Sequence, residues 1–348
     1  MIDRRLFIGA GFACVVLTNQ AEAEAEAMVD ARLDELVRAR DFHGAVLAVS
    51  GGAVRHRAGY GQADIERGLL NTPETRYKIG SISKALTTGA VLALVQQGKV
   101  RLDDPITRHI ADAPAAWAEI RVRHLLNHSS GLPEIMQVPG HAQRMAQRNT
   151  LEGTVALLHP LPLAFTPGTR FQYGNSGHTV AGRLVESVTA MAYPDALRSL
   201  VLDVHGLSDT GYADSHASIP GLAVGYRVTN GVAAPAPFID MSVTLGAAAE
   251  YSTVDDLHRW LTVLETGALA GLARDSGMFT PGPGPVGLAW TIGDFENRRM
   301  VSHAGGMVGF VGFMARFPDQ DVTVVALSNR ENAPVNPVVM DLARALLA

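Results

Sequence analysis

Cysteine is nearly absent from this 348-residue sequence, and its one occurrence, Cys14, lies close to the N-terminus. A chain without that residue has no thiol for a disulfide bond, a thiolate metal site or a cysteine nucleophile. An excess of positive charge is also absent, because 29 Lys and Arg against 34 Asp and Glu leave a net charge of −5. This charge excludes the basic surface of a nucleic-acid-binding protein.

Long apolar runs are missing too, and the short one that occurs has the pattern of an export signal. Arg4 and Arg5 precede an apolar run that ends near Leu17, and alternating Ala and Glu follow through Ala27. A membrane-spanning helix needs about 20 apolar residues, so we expect a cleaved signal peptide at 1–27 and no membrane span in the mature chain. The arginine pair fits a twin-arginine signal, and an ordinary Sec signal fits equally well. We expect a periplasmic or secreted protein.

The remaining patterns predict a mixed α/β (α+β) fold. Strand-like runs lie near both ends of the chain, at 42–50, 53–61, 288–294, 300–303, 309–317 and 322–328, with terminal helices at 28–40 and 336–347. The stretch between them is mainly helical. We therefore expect one antiparallel sheet flanked by helices and formed from both chain ends, 28–80 and 240–348, with a mainly helical domain inserted at 81–239.

Lysine is the other scarce residue, with 26 of the 29 cationic side chains being Arg and only Lys78, Lys84 and Lys99 being Lys. An amine can lose its proton when it is desolvated, whereas a guanidinium cannot. Lys84 follows Ser81 by three residues, so a helix that begins at Ser81 brings both side chains to one face. This spacing is typical of a serine nucleophile with a base one turn away, although a helix cap followed by a solvated lysine has the same spacing.

Two further segments make the sequence resemble a known family. Tyr173-Gly174-Asn175 resembles a Tyr-x-Asn loop, and His303-Ala304-Gly305-Gly306 resembles the His-x-Gly variant of a Lys-Thr-Gly element. Together with Ser-x-x-Lys, these are the motifs of the penicillin-recognising serine hydrolases, in the branch of class C beta-lactamases, DD-carboxypeptidases, D-aminopeptidases and related esterases. The resemblance extends over about residues 30–348 and implies the beta-lactamase/transpeptidase-like fold.

The resemblance also implies roles for the motif residues. Ser81 would be the nucleophile, Lys84 and Tyr173 would exchange its proton, and the sequence does not decide which of the two is the resting base. Asn175, His303, Gly305 and Gly306 would bind the substrate, and the backbone N–H groups of Ser81 and Gly306 would form the oxyanion hole. We expect no cofactor and no metal. His124 and His128 have the spacing of a zinc pair, but a structural pair is the more frequent origin of that spacing.

The substrate class follows less directly from the sequence. His303 replaces the lysine of many beta-lactamases, which removes the permanent cation that suits a beta-lactam carboxylate. We therefore expect an acyl-Ser81 hydrolase of esters or amides, an esterase or a D-amino-acid peptidase of DD-carboxypeptidase type, acting on a small molecule or a short peptide. The alternatives are a weak class C-like beta-lactamase and a penicillin-binding or sensor module without turnover. The oligomeric state is not predicted.

Overall fold

A computed structural model describes residues 28–348, so the predicted signal peptide and Cys14 lie outside the described residues. The strands are β1 (Gly44–Ser50), β2 (Ala53–Tyr60), β3 (Gln62–Asp64), β4 (Leu69–Leu70), β5 (Tyr77–Lys78), β6 (Gly211–Tyr212), β7 (Tyr226–Thr229), β8 (Val232–Pro235), β9 (Glu250–Ser252), β10 (Thr291–Phe295), β11 (Arg298–Met307), β12 (Phe310–Phe317) and β13 (Val322–Ser328). The α-helices are α1 (28–38), α2 (Ser83–Gln96), α3 (Val122–Leu126), α4 (His141–Arg144), α5 (Leu151–Val155), α6 (Ser176–Thr189), α7 (Tyr193–Leu197), α8 (Asp203–His205), α9 (Val254–Glu265), α10 (Ala270–Asp275) and α11 (Val335–Leu347). Short 3₁₀ turns include Gly80–Ile82, directly before α2.

The central sheet has six antiparallel strands in the order β10-β11-β12-β13-β1-β2. The two ends of the chain meet where β1 pairs with β13, with Ala45 opposite Leu327. The glycine pair Gly51-Gly52 closes the β1–β2 hairpin with both residues at positive φ, which suits its tight turn. The predicted fold class, a sheet built from both chain ends, is thereby confirmed. The domain boundaries at 80 and 240 stay a prediction.

Alternation along the strands divides the core into two layers. In β1, Val46 and Ala48 face a cluster that includes Leu33 of α1 and Val339 of α11. The intervening residue Leu47 faces a larger cluster that contains the inserted helices. Both faces of the sheet are therefore covered, and successive side chains point to opposite layers as the strand period of two requires.

Helix α2 lies at the centre of the larger layer. Twelve of its fourteen residues, Ser83 to Leu94, are buried, so the helix is surrounded by protein. Since the 3₁₀ turn Gly80–Ile82 leads directly into α2, the start of this helix lies between the sheet and the inserted helices.

The structure differs from the predicted elements in two places. The strand predicted from 288 begins at Thr291, because Leu288 and Ala289 instead donate their backbone N–H groups to the carbonyls of Met278 and Leu126, each at 2.9 Å. The segment predicted as mainly helical also contains β6, β7 and β8. Among residues 28–348, no helix combines the length and the apolar character needed to cross a membrane.

Candidate active site

Ser81 lies in the 3₁₀ turn that precedes α2, held against the edge of β11. Gly80 has φ +51°, and a Cβ atom added to it would lie 2.6 Å from the carbonyl oxygen of Gly306. Only glycine fits this close approach, because any other residue would meet both an unfavourable φ and the backbone of β11. The turn therefore brings Ser81 next to Gly306, the two residues whose N–H groups are predicted to form the oxyanion hole.

Lys84 lies directly beneath Ser81 and is completely buried. Its Nζ atom is 2.9 Å from Ser81 Oγ, 2.8 Å from Asn175 Oδ1 and 3.1 Å from the carbonyl oxygen of Ala247. The last two atoms can only accept hydrogen bonds, whereas a hydroxyl can also donate one. An ammonium can donate to all three atoms. In a neutral amine the two N–H groups serve the two acceptors, and the lone pair is free to accept the Ser81 proton.

The electrostatic environment favours that neutral amine. Burial lowers the pKa of Lys84 to about 7, against the opposing attraction of the carboxylates of Glu134 and Glu250. Glu250 is itself completely buried, and burial raises its pKa to about 7. Near neutral pH a large fraction of the enzyme therefore holds Lys84 as a free base.

Glu134 fixes the orientation of Asn175. Its two carboxylate oxygens accept hydrogen bonds from the Asn175 backbone N–H at 2.7 Å and from Asn175 Nδ2 at 2.8 Å. Because a carboxylate only accepts, the amide nitrogen of Asn175 must face Glu134 and the amide oxygen must face Lys84. Sequence reasoning missed Glu134, which lies 41 residues before its partner and outside every motif.

Tyr173 forms part of the wall beside Ser81, and half of its surface is exposed. Burial of the rest raises the pKa of Tyr173 above its ordinary value, and the hydrogen bond with Ser81 offsets part of that increase. The phenol is therefore protonated at neutral pH, and Lys84 rather than Tyr173 is the group able to accept a proton at rest.

His128 supports Tyr173 from below. Their rings lie 4.5 Å apart between centroids, and the backbone N–H of Gln172 donates to the carbonyl of His128 at 2.9 Å. Burial lowers the pKa of His128 to about 3, so its ring is neutral. Sequence reasoning paired His128 with His124, but its packing partner is the tyrosine.

Within the described part of the chain, no group of three or more His, Cys, Asp or Glu could hold a metal ion.

His303 does not reach the cleft surface as its predicted role in substrate binding requires. It is 4% exposed, and its Nδ1 atom lies 2.7 Å from the carbonyl oxygen of Ala304. Burial and the neighbouring charge of Lys84 lower the pKa of His303 to about 4. It is therefore neutral near pH 7 and supplies no cation to a substrate.

The two glycines of the last motif have different surroundings. Gly305 is buried, and a Cβ atom there would lie 2.0 Å from the carbonyl oxygen of Ile79. Gly306 is exposed to the cleft, and a Cβ atom there would meet no atom within 4 Å. The predicted role of both residues in substrate binding thus has geometric support only at Gly306, while Gly305 lets the turn before Ser81 approach β11.

The cleft above Ser81 has a volume of about 410 Å³ and mostly apolar walls. The residues that line it are Ser81, Ile135, Met136, Met145, Tyr173, Asn175, Thr179, Ile239, Val243, Thr244, Ala247, Ala248, Gly306, Met307, Val308 and Glu331. Glu331, the one carboxylate in this set, pairs with Arg227 at 2.9 Å. The cleft thus combines a serine hydroxyl, a buried amine and a phenol with a surface that favours an apolar ligand.

Comparisons with known proteins find relatives in sequence and in fold. The chain is 24% identical over 338 residues to Protein flp of Staphylococcus aureus (strain COL), an alignment that covers 94% of this chain and 66% of that protein's length. The penicillin binding protein from Bacillus halodurans has a similar fold, with a TM-score of 0.78, 24% identity and coverage of 90% of this chain and 98% of that one. D-amino acid amidase from Ochrobactrum anthropi SV3 has a TM-score of 0.76, 24% identity and coverage of 92% and 98%.

A family-level match extends over almost all of the described residues. The sequence model of the family described as Beta-lactamase matches residues 29–348, a range that contains Ser81, Lys84, Tyr173 and the strand that carries His303. The chain therefore belongs to the Beta-lactamase family.

Proposed function

We propose that this protein is an exported serine hydrolase that forms an acyl-Ser81 intermediate from esters or amides with an apolar acyl group. The observation that carries the proposal is the arrangement around Lys84, whose Nζ atom lies 2.9 Å from Ser81 Oγ while Asn175 and Ala247 accept hydrogen bonds from two of its N–H groups. A buried amine with a pKa near 7 is suited to accept a proton at neutral pH.

In the proposed reaction Lys84 takes the proton of Ser81 as Oγ attacks the substrate carbonyl carbon. The resulting oxyanion accepts hydrogen bonds from the backbone N–H groups of Ser81 and Gly306. When the tetrahedral intermediate collapses, the Tyr173 phenol protonates the leaving oxygen or nitrogen, and the Lys84 ammonium returns a proton to the phenolate. Water then attacks the acyl group by the same route, with Lys84 again as base.

The walls of the cleft support a neutral acyl group. None of the described residues that line it is Lys or Arg, and His303 is both buried and neutral. A beta-lactam presents a carboxylate close to its reactive carbonyl, and the cleft offers that carboxylate no cation. An ester or amide without a charged group close to its carbonyl is therefore favoured over a beta-lactam, and the amidase among the structural neighbours adds D-amino acid amides to the substrates to test.

Export is the part of the proposal that depends on sequence alone. The arginine pair and apolar run of residues 1–27 support a periplasmic or secreted location. Fractionation of cells that produce the full chain, with Arg4→Lys and Arg5→Lys together as the matched variant, tests for twin-arginine export. Retention of the variant in the cytoplasm supports that route, whereas unchanged export of the variant indicates a Sec signal.

The enzymatic proposal is tested with p-nitrophenyl butyrate. We expect hydrolysis by the mature protein, a transient butyryl adduct in its intact mass, and loss of both in Ser81→Ala. Ser218→Ala is the control, because Ser218 is exposed and does not line the cleft. Undiminished turnover by Ser81→Ala would contradict the mechanism. An adduct that forms but does not hydrolyse would indicate the penicillin-binding or sensor module instead.

A further inference from the structure

A second pocket adjoins the catalytic cleft and contains a lysine that the mechanism does not use. We propose that Lys78 binds a carboxylate carried at the far end of the substrate. This proposal rests on the proposed hydrolase function, because it assigns part of that substrate. The pocket has a volume of about 290 Å³, and it shares Ile239 and Val308 with the catalytic cleft. A ligand that is acylated at Ser81 can therefore extend past these two side chains into the second pocket.

Lys78 has no acidic partner among the described residues. It belongs to β5, whose backbone pairs with Tyr251 of β9, so the position of its side chain is set by two strands. Among residues 28–348 no ion pair and no hydrogen bond is found for its ammonium, which lies 6.0 Å from the centroid of the Phe310 ring. Burial lowers the pKa of Lys78. The side chain is only partly buried, so an anionic ligand that enters the pocket would replace water around the ammonium with a charge-assisted hydrogen bond.

The one carboxylate in the walls of the second pocket does not fill that role. Asp214 is bound at 2.7 Å by Arg148, and it also accepts a hydrogen bond from the backbone N–H of His216 at 3.0 Å. Its charge is therefore already balanced, and Lys78 is left to attract a negative group from outside the protein.

The remaining walls define the body of the ligand. Pro235, Pro237, Phe238 and Phe310 give one part of the pocket a rigid apolar surface, and polar groups line the rest. More than half of Phe238 is exposed. An apolar chain that ends in a carboxylate matches both the walls and the ammonium. The choice of lysine is itself unusual in a chain whose other cationic residues are almost all arginine.

The proposal predicts selectivity among mono-p-nitrophenyl esters of straight-chain dicarboxylic acids, from succinate to suberate, relative to p-nitrophenyl butyrate. Lys78→Met keeps the length and apolar stem of the side chain but removes the charge. For the best dicarboxylate ester we expect it to lower kcat/KM about tenfold to a hundredfold, the range of a charge-assisted hydrogen bond. For the butyrate ester we expect no change. Lys78→Arg should recover part of the loss, and Lys99→Met, which alters an exposed lysine, should have no effect.

An equal loss for the charged and neutral esters, or no loss for either, would overturn the assignment. A binding measurement separates this result from failure of the hydrolase proposal. Suberate is titrated calorimetrically into Ser81→Ala and into the same variant with Lys78→Met, so no turnover is needed. Tighter binding when Lys78 is present supports the site even if Ser81 proves not to be the nucleophile. Equal affinities, or no binding by either protein, would refute it.

Discussion

Gly305 and Gly306 are adjacent in β11, yet alanine should affect them in opposite ways. At Gly305 the new Cβ atom would lie 2.0 Å from the carbonyl oxygen of Ile79, where ordinary contact requires at least 3.4 Å. The strand or the turn would have to move by more than 1 Å. At Gly306 the same atom would enter open space in the cleft. Gly305→Ala therefore tests the effect of a packing defect, and Gly306→Ala tests the effect of a side chain that obstructs the substrate path.

The size of each effect follows from these contacts. Overpacking of a tight interior site costs about 1–3 kcal/mol of unfolding free energy, and β11 cannot shift freely because Gly305 is paired with Gly312 in β12. The displaced turn also carries Ser81, so we expect kcat to fall about a hundredfold, as when one oxyanion donor is lost. Gly306→Ala should change the unfolding free energy by no more than about 0.5 kcal/mol. Its effect should be a higher KM.

Urea unfolding and steady-state hydrolysis of p-nitrophenyl butyrate measure the two effects separately. A lower midpoint at unchanged slope indicates lost stability. The reasoning would be refuted if Gly306→Ala destabilised the protein as much as Gly305→Ala, or if Gly305→Ala kept the kcat of the unmodified enzyme.

Three further predictions concern the proton-transfer groups. Lys84 must be neutral to act as base, and burial lowers its pKa to about 7. We therefore expect kcat/KM to be low in acid and to rise as the pH increases through about 7. A pH–rate profile without this rise would contradict the role of Lys84 as base. Glu134→Gln should lower kcat about tenfold or more, because Asn175 loses its fixed orientation. It should also move the rise in the pH–rate profile to lower pH, because the negative charge of Glu134 raises the pKa of Lys84. The exposed Glu119→Gln is the control, and an unmoved rise would argue against an interaction between Glu134 and Lys84. Tyr173→Phe should slow hydrolysis of an ethyl ester far more than that of a p-nitrophenyl ester, because nitrophenolate leaves without a proton. Equal losses of rate for both esters would exclude the Tyr173 phenol as the general acid.

Local features of the fold and the site follow from the sequence because neighbouring residues determine them. Short, nearly continuous apolar runs predict β1 and β13, and Gly51-Gly52 predicts the hairpin that follows β1. The three-residue spacing of Ser81 and Lys84 requires only a helical turn to bring their side chains within 2.9 Å. These predictions use contacts between residues that are close in the chain or related by a simple period.

Only the tertiary structure decides which of the site's groups carry charge and where they face. The pKa of Lys84 depends on burial by segments as distant as Ala247, and the orientation of Asn175 depends on Glu134, 41 residues away. His303 has the spacing of a substrate-binding residue, but burial makes it neutral. The sequence by itself determined the six strands of the central sheet and the Ser81–Lys84 pair. Desolvation, which is a property of the folded chain, lowers the pKa of Lys84 and raises that of Tyr173, and this supports our proposal that Lys84 is the resting base.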